Sequence, residues 1–254
     1  MSWLATRSLD PRAEVRLFCF PYAGGGASLF RPWAGGLPAG VDICPVELPG
    51  RGWRMLEPAF DRIDCLVEAA YVGLREFFNG RFAFFGHSLG ALVCFELARL
   101  LQERHDPLPE HLFVSACRAP QLPNDDLPLT GGTDQQFIEA LQGLKGTPPE
   151  VLANAELMEL LLPTLRADFA ACEQYVYHPR EHIAVPITAF GGLEDTMVTG
   201  DHLEPWRELT TAAFALTMVP GDHLFLLRSS RSLLESIQRT LRAGQSILCS
   251  STNP

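Results

Sequence analysis

Short apolar runs recur along the chain, each closed by a turn, and they alternate with segments whose apolar residues fall three to four positions apart. The runs are Val15–Phe20, Val41–Leu48, Arg81–Phe85, Leu112–Ala116, Ile187–Phe190 and Phe214–Val219. Their apolar character is continuous rather than alternating, which predicts strands buried on both faces, as in a parallel sheet. Three-to-four spacing predicts helices over Ile63–Phe78, Leu89–Arg104 and Ser230–Leu241. Strands alternating with helices give an α/β architecture: a mostly parallel central sheet with helices on both faces.

One stretch breaks the alternation. From about residue 122 to 182 no strand pattern occurs; a link rich in Pro, Gly and Asp leads into helical stretches at Asp134–Leu144 and Pro149–Tyr177. This reads as a helical insertion within one domain spanning 1–254, placed where it could cover a site as a lid. The segment 244–254 reads as a flexible tail.

Composition narrows the possible functions. With 254 residues, 47% of them hydrophobic, the chain can bury one sizeable core. No apolar run approaches the roughly 20 residues that cross a bilayer, and residues 1–16 lack the apolar stretch of a signal peptide, so a cytoplasmic protein without membrane association is expected. Seven scattered cysteines without a C-x-x-C pair suggest free thiols rather than a zinc site or a disulfide framework. A net charge of −10 argues against nucleic acid, whose phosphates call for a basic surface.

The chemistry enters at Gly86-His87-Ser88-Leu89-Gly90, a G-x-S-x-G between a predicted strand and a predicted helix. In that context the serine sits on a strained turn that lifts its hydroxyl above the carboxyl edge of the sheet, and it is the candidate nucleophile. A serine hydroxyl needs a base and the base an orienting acid, and in this fold they follow in the order Ser, Asp/Glu, His. His223, in the loop after the last strand, is the candidate base; His178, His182 and His202 are assigned surface or packing roles. Gly191-Gly192-Leu193-Glu194-Asp195 follows the penultimate strand, and Asp195 is the candidate acid, ahead of Glu194, Asp201 and Asp222. An acyl-transfer site also needs oxyanion donors: the N–H of Leu89 and, from the glycine loop after the first strand, that of Ala23.

Several stretches together resemble one family. They are Phe20-Pro21-Tyr22-Ala23-Gly24-Gly25-Gly26, Glu47-Leu48-Pro49-Gly50-Arg51-Gly52 with Arg54, the serine motif, Leu165-Arg166-Ala167-Asp168-Phe169, and Gly221-Asp222-His223-Leu224-Phe225. The set resembles the type II thioesterases that accompany polyketide synthases and nonribosomal peptide synthetases. The resemblance implies an α/β-hydrolase that removes stalled or mis-primed acyl groups from the phosphopantetheine arm of acyl and peptidyl carrier proteins. It implies a Ser88–His223–Asp195 triad, oxyanion donors at Ala23 and Leu89, no metal, and no cofactor beyond the phosphopantetheine that the substrate carries. A general carboxylesterase of the same fold is the alternative, and a monomer the expected state. Two departures stand out: Leu89 where many relatives carry methionine, and Tyr22 where histidine is common. Because carrier proteins are usually acidic, docking on this acidic chain calls for a local basic patch, with Arg51, Arg54, Arg166 and Arg180 as candidates.

Overall fold

The structure, a computed structural model, describes residues 2–4, 9–33, 35–37, 40–123, 128–144, 151 and 154–250; at 144 and 244–250 it describes the backbone alone. Six strands, β1 (Val15–Phe20), β2 (Val41–Pro45), β3 (Phe82–His87), β4 (Leu112–Ser115), β5 (Ile187–Gly192) and β6 (Phe214–Val219), form one sheet. Their order is β2-β1-β3-β4-β5-β6, and every pairing is parallel. All residues of β3, β4 and β5 are buried, whereas the edge strands β2 and β6 are partly open. That contrast is why the central runs read as continuously apolar.

Side chains alternate across the sheet as the period of two requires. Phe18, Phe20, Phe82 and Phe84 enter the core shared with helices α1 (Ile63–Leu74) and α2 (Leu89–Glu103). Leu17, Cys19, Ala83 and Phe85 face the opposite layer, where Phe30, Trp33, Leu233 and Ile237 close the second core. This is the layering of the α/β-hydrolase fold. Strand β2 stops at Pro45, short of the expected Leu48: the Val46 N–H still donates to the Cys19 carbonyl at 2.9 Å, but Val46 then bridges to Leu4 in the antiparallel sense and the Glu47 N–H turns to the Trp3 carbonyl, so the N-terminal segment takes over from β1.

The insertion lies between β4 and β5. Its helices α3 (Asp134–Leu144) and α4 (Ala155–Glu173) share a small cluster of their own, built on Phe137, Leu141, Met158, Leu162 and Leu165. Residues 124–127, 145–150 and 152–153 of the expected insertion lie outside the described residues. The last helix, α5, runs Ser230–Ser250, so 244–250 are helical rather than a loose tail. Gly244 is a weak helix former but not a stop, and no proline follows until Pro254. Residues 251–254 lie outside the described set. Among the described residues no helix is long and apolar enough to cross a membrane.

From β1 the chain steps outward to β2, then returns across β1 to β3. Growth of the sheet reverses there, and in open α/β sheets ligands collect outside the carboxyl ends of the strands at such a switch point.

Candidate active site

Strand β3 ends at His87 and α2 begins at Leu89, leaving Ser88 alone at the bend. Its backbone, φ 54° and ψ −117°, lies in a region that costs a non-glycine residue about 1–3 kcal/mol. The bend is held by the Ser88 N–H, which donates to the Ser115 carbonyl at 2.7 Å, and by the Ser88 carbonyl, which accepts from the Ala91 N–H at 2.9 Å. The flanking glycines serve close backbone approach. A Cβ on Gly86 would lie 2.1 Å from the Gly90 carbonyl oxygen, and one on Gly90 would lie 2.3 Å from that of Phe20. Gly90 thereby presses the start of α2 onto the end of β1 and brings the loop Pro21–Gly26 beside Ser88. The N–H groups that open α2, that of Leu89 first, have no acceptor within the helix. Among the described residues no hydrogen bond takes the N–H of Ala23.

The turns after β5 and β6 carry the other two candidates. The Asp195 side chain is fully buried. Its Oδ1 accepts from the N–H groups of Met197 at 2.9 Å and Val198 at 3.0 Å, and its Oδ2 from His223 Nδ1 at 2.8 Å. Burial alone would raise this carboxyl, but the hydrogen bond and charge of His223 and the two backbone donors outweigh it, and the pKa falls below the ordinary carboxylate value. Glu194 faces elsewhere: its Oε2 accepts from the Gly221 N–H and tethers the histidine loop. Of the adjacent carboxylates, the structure brings Asp195 to the imidazole. His202 serves the fold, its Nδ1 accepting from the Thr199 N–H, while at His178 it is the backbone carbonyl that accepts, from Arg99.

His87, to which the sequence reading gave no role, joins the elbow to the histidine loop. Its Nε2 lies 2.8 Å from the His223 carbonyl and its Nδ1 2.9 Å from Ser115 Oγ. A carbonyl only accepts, so Nε2 carries the hydrogen and the neutral ring accepts from the Ser115 hydroxyl through Nδ1. Burial, reinforced by nearby His223, lowers the His87 pKa to about 3. The residue beside Ser88 is thus bonded directly to the backbone of His223. Tyr22, one of the two departures, packs edge-on against the His87 ring at 6.0 Å, and burial raises its hydroxyl pKa.

Two of the expected docking arginines are in the interior. Arg51 is 5% exposed and Arg54 4%. Arg51 pairs bidentately with Asp168 of α4 at 2.6 and 2.7 Å and donates to the carbonyls of Pro49 and Gly25. Arg54 pairs with Glu57, donates to the Glu47 carbonyl and lies over the Trp3 ring. Both are structural because their loop is folded under the insertion rather than displayed on it. Arg166 is also engaged, binding Asp134 and the carbonyls of Thr130 and Gly132, and so joins α4 to the start of α3. Arg180 is half exposed and paired with Glu103.

Two buried carboxylates lie in stretches that carry the resemblance but were given no role from the sequence. Asp168 Oδ2 also accepts from the Gly24 N–H at 2.6 Å, and Glu47 Oε1 accepts from the Ala27 N–H at 2.9 Å. Burial raises the Glu47 pKa despite Ala27, Arg51 and Arg54. The available signal for Asp168 was its place in line with Leu162 and Leu165, on the apolar stripe of its helix.

Comparison with known proteins places this geometry. A thioesterase domain model matches residues 15–241, from the first strand past the histidine loop. The gramicidin S biosynthesis protein GrsT of Aneurinibacillus migulanus is 44% identical over 242 residues, covering 94% of each chain. Among solved structures, the RedJ thioesterase from the prodiginine pathway of Streptomyces coelicolor superimposes with a TM-score of 0.83 at 41% identity, covering 89% of this chain and 85% of RedJ. The type II thioesterase BorB from the borrelidin cluster gives 0.85 at 34% identity, covering 94% and 98%. With a match that takes in all six strands, the serine elbow and the histidine loop, the chain belongs to the thioesterase family, among the type II thioesterases built on the α/β-hydrolase fold.

Proposed function

We propose that this thioesterase hydrolyses acyl groups from the phosphopantetheine arm of acyl and peptidyl carrier proteins, clearing stalled or mis-primed chains in polyketide or nonribosomal peptide synthesis. Ser88 is the nucleophile, His223 its base and Asp195 the group that orients the imidazole and stabilises the imidazolium that forms. Asp195 holds the Nδ1 proton, which leaves Nε2 as the basic nitrogen. As Ser88 attacks the thioester carbonyl, His223 takes the hydroxyl proton, and the oxyanion is received by the N–H groups of Leu89 and Ala23. The pantetheine sulfur leaves with the proton from His223. Water, deprotonated by the same imidazole, then cleaves the acyl-serine and frees Ser88.

The observation that carries this reading is the bond between His223 and the buried Asp195 at the same sheet edge as the strained Ser88. A helical insertion seated beside the serine fits a lid over the acyl chain. No metal or resident cofactor enters any step; the phosphopantetheine arrives with the substrate.

The test is an intact-mass assay on carrier proteins loaded with acyl groups of several lengths, beside acyl-pantetheine and p-nitrophenyl esters. Faster release from the carrier than from either small substrate, abolished in Ser88→Ala, is the expected result. Turnover by Ser88→Ala at the wild-type rate would remove the serine assignment. Equal preference for simple esters would move the function to a general carboxylesterase.

A further inference from the structure

The glycine loop that supplies Ala23 is held by charged side chains at successive points. The Gly25 N–H donates to the Tyr22 carbonyl at 2.8 Å and closes a four-residue turn. Gly24, third in that turn, has φ +77°, while Ala23 is not among the residues with positive φ; the turn is therefore type II, with Ala23 at its second position. Around it, Asp168 takes the Gly24 N–H, Arg51 donates to the Gly25 carbonyl at 3.2 Å, and Glu47 takes the Ala27 N–H. Asp168 and Arg51 are 1% and 6% exposed at their side chains, so water does not compete for these bonds. Arg51 and Glu47 come from the loop after β2, but Asp168 comes from α4, 144 residues beyond Gly24. Helix α4 is seated on these loops at two further points: Thr164 Oγ1 donates to the Gly50 carbonyl at 2.7 Å, and Leu165 fills the space where a Cβ of Gly24 would stand.

We propose that Asp168 is a positioning residue for the oxyanion hole, delivered from the lid. Its carboxylate holds the central peptide of the Tyr22–Gly25 turn and so fixes the turn that carries the Ala23 N–H, while Arg51 supplies the charge that lets a carboxylate sit there. When the lid lifts, the acceptor of the Gly24 N–H leaves with it, and the Tyr22–Gly25 turn loses the side-chain anchor next to Ala23, so the whole turn, with the Ala23 N–H, is free to move away from Ser88. The oxyanion hole is complete only under a seated lid. This rests on the assignment of Ala23 as a donor made above.

The ion pair and the acceptor can be separated with two double variants. Arg51→Met/Asp168→Leu removes both charges together and leaves the Gly24 N–H without an acceptor. Arg51→Met/Asp168→Asn also removes both charges but keeps an oxygen for Gly24. Removing both partners of a buried pair avoids the stranded charge that makes single substitutions strongly destabilising. Rates are measured on an acyl-pantetheine and expressed per Ser88 titrated with a fluorophosphonate, so unfolded protein is not counted.

The Leu variant is expected to lose about 10- to 100-fold in kcat with KM nearly unchanged, less than the 10²–10³ of deleting a donor outright. The Asn variant is expected to return to within about threefold of the wild-type kcat, a rescue that a merely structural pair would not give. Wild-type kcat in the Leu variant, or no recovery in the Asn variant, overturns the inference. If Ser88→Ala is inactive while the Leu variant is fully active, only this inference falls; activity in Ser88→Ala strikes the triad itself.

Discussion

Lowering the pH from 7 to 5 tests His87 specifically. In the unfolded chain its imidazole titrates near 6.5; in the folded protein burial holds it near 3. Between those values the unfolded chain binds a proton that the folded chain refuses, so stability is fully present above about 6.5 and is lost as the pH falls. At pH 5 the gap of about 1.5 pH units, at 1.36 kcal/mol each, amounts to about 2 kcal/mol. The structure opposes the proton by burial: Nε2–H is already committed to the His223 carbonyl, and protonating Nδ1 would reverse its bond with Ser115 Oγ and leave a charge away from water. His87→Gln keeps an N–H for the carbonyl but does not titrate. Urea unfolding of both proteins at pH 7 and pH 5 should show the wild type losing about 2 kcal/mol more than the variant. Other groups, His111 included, are common to both and cancel. Equal losses would refute the argument, because they would mean that His87 is protonated in the folded state at pH 5 and its bond to the histidine loop is not the neutral one described.

Asp195→Asn should lower kcat by up to about 10⁴ through loss of the oriented tautomer, whereas Glu194→Gln, which still offers an oxygen to Gly221, should stay within a few fold; steady-state kinetics on acyl-pantetheine decide between them. Gly90→Ala places a methyl 2.3 Å from the Phe20 carbonyl oxygen, which is backbone and cannot swing aside. It should destabilise by about 3 kcal/mol or more and lower turnover in whatever remains folded, as read by thermal melting and by activity at low temperature.

The central strands were legible because burial on both faces leaves a continuous apolar run, and Phe84-Phe85 leading into Gly86-His87-Ser88 shows the strand, although it runs on through Gly86 to His87. Ser88, Asp195 and His223 could be nominated because each follows a strand in a fixed chain order. What could not be read were pairings between distant segments. Arg51 looks like any surface arginine until Asp168 is seen 2.6 Å away, and an alternation rule carries no information about a contact 117 residues distant. His87 was hidden for a related reason: its partners, the Ser115 hydroxyl and the His223 carbonyl, belong to different strands' ends. The close of β2 at Pro45 was hidden for the same reason, since what ends the strand is the pairing of Val46 and Glu47 with Leu4 and Trp3, more than 40 residues away.

The backbone of Ser88 has one more consequence. A glycine would adopt φ 54° and ψ −117° without the steric penalty of about 1–3 kcal/mol that serine bears. Mutation with folding as its only criterion would therefore drift toward glycine here and reach a sturdier, inert protein. That the position holds a hydroxyl able to attack a carbonyl, at a locally unfavourable torsion, accords with the nucleophilic role proposed for Ser88: its chemistry would be kept against the preference of its own backbone.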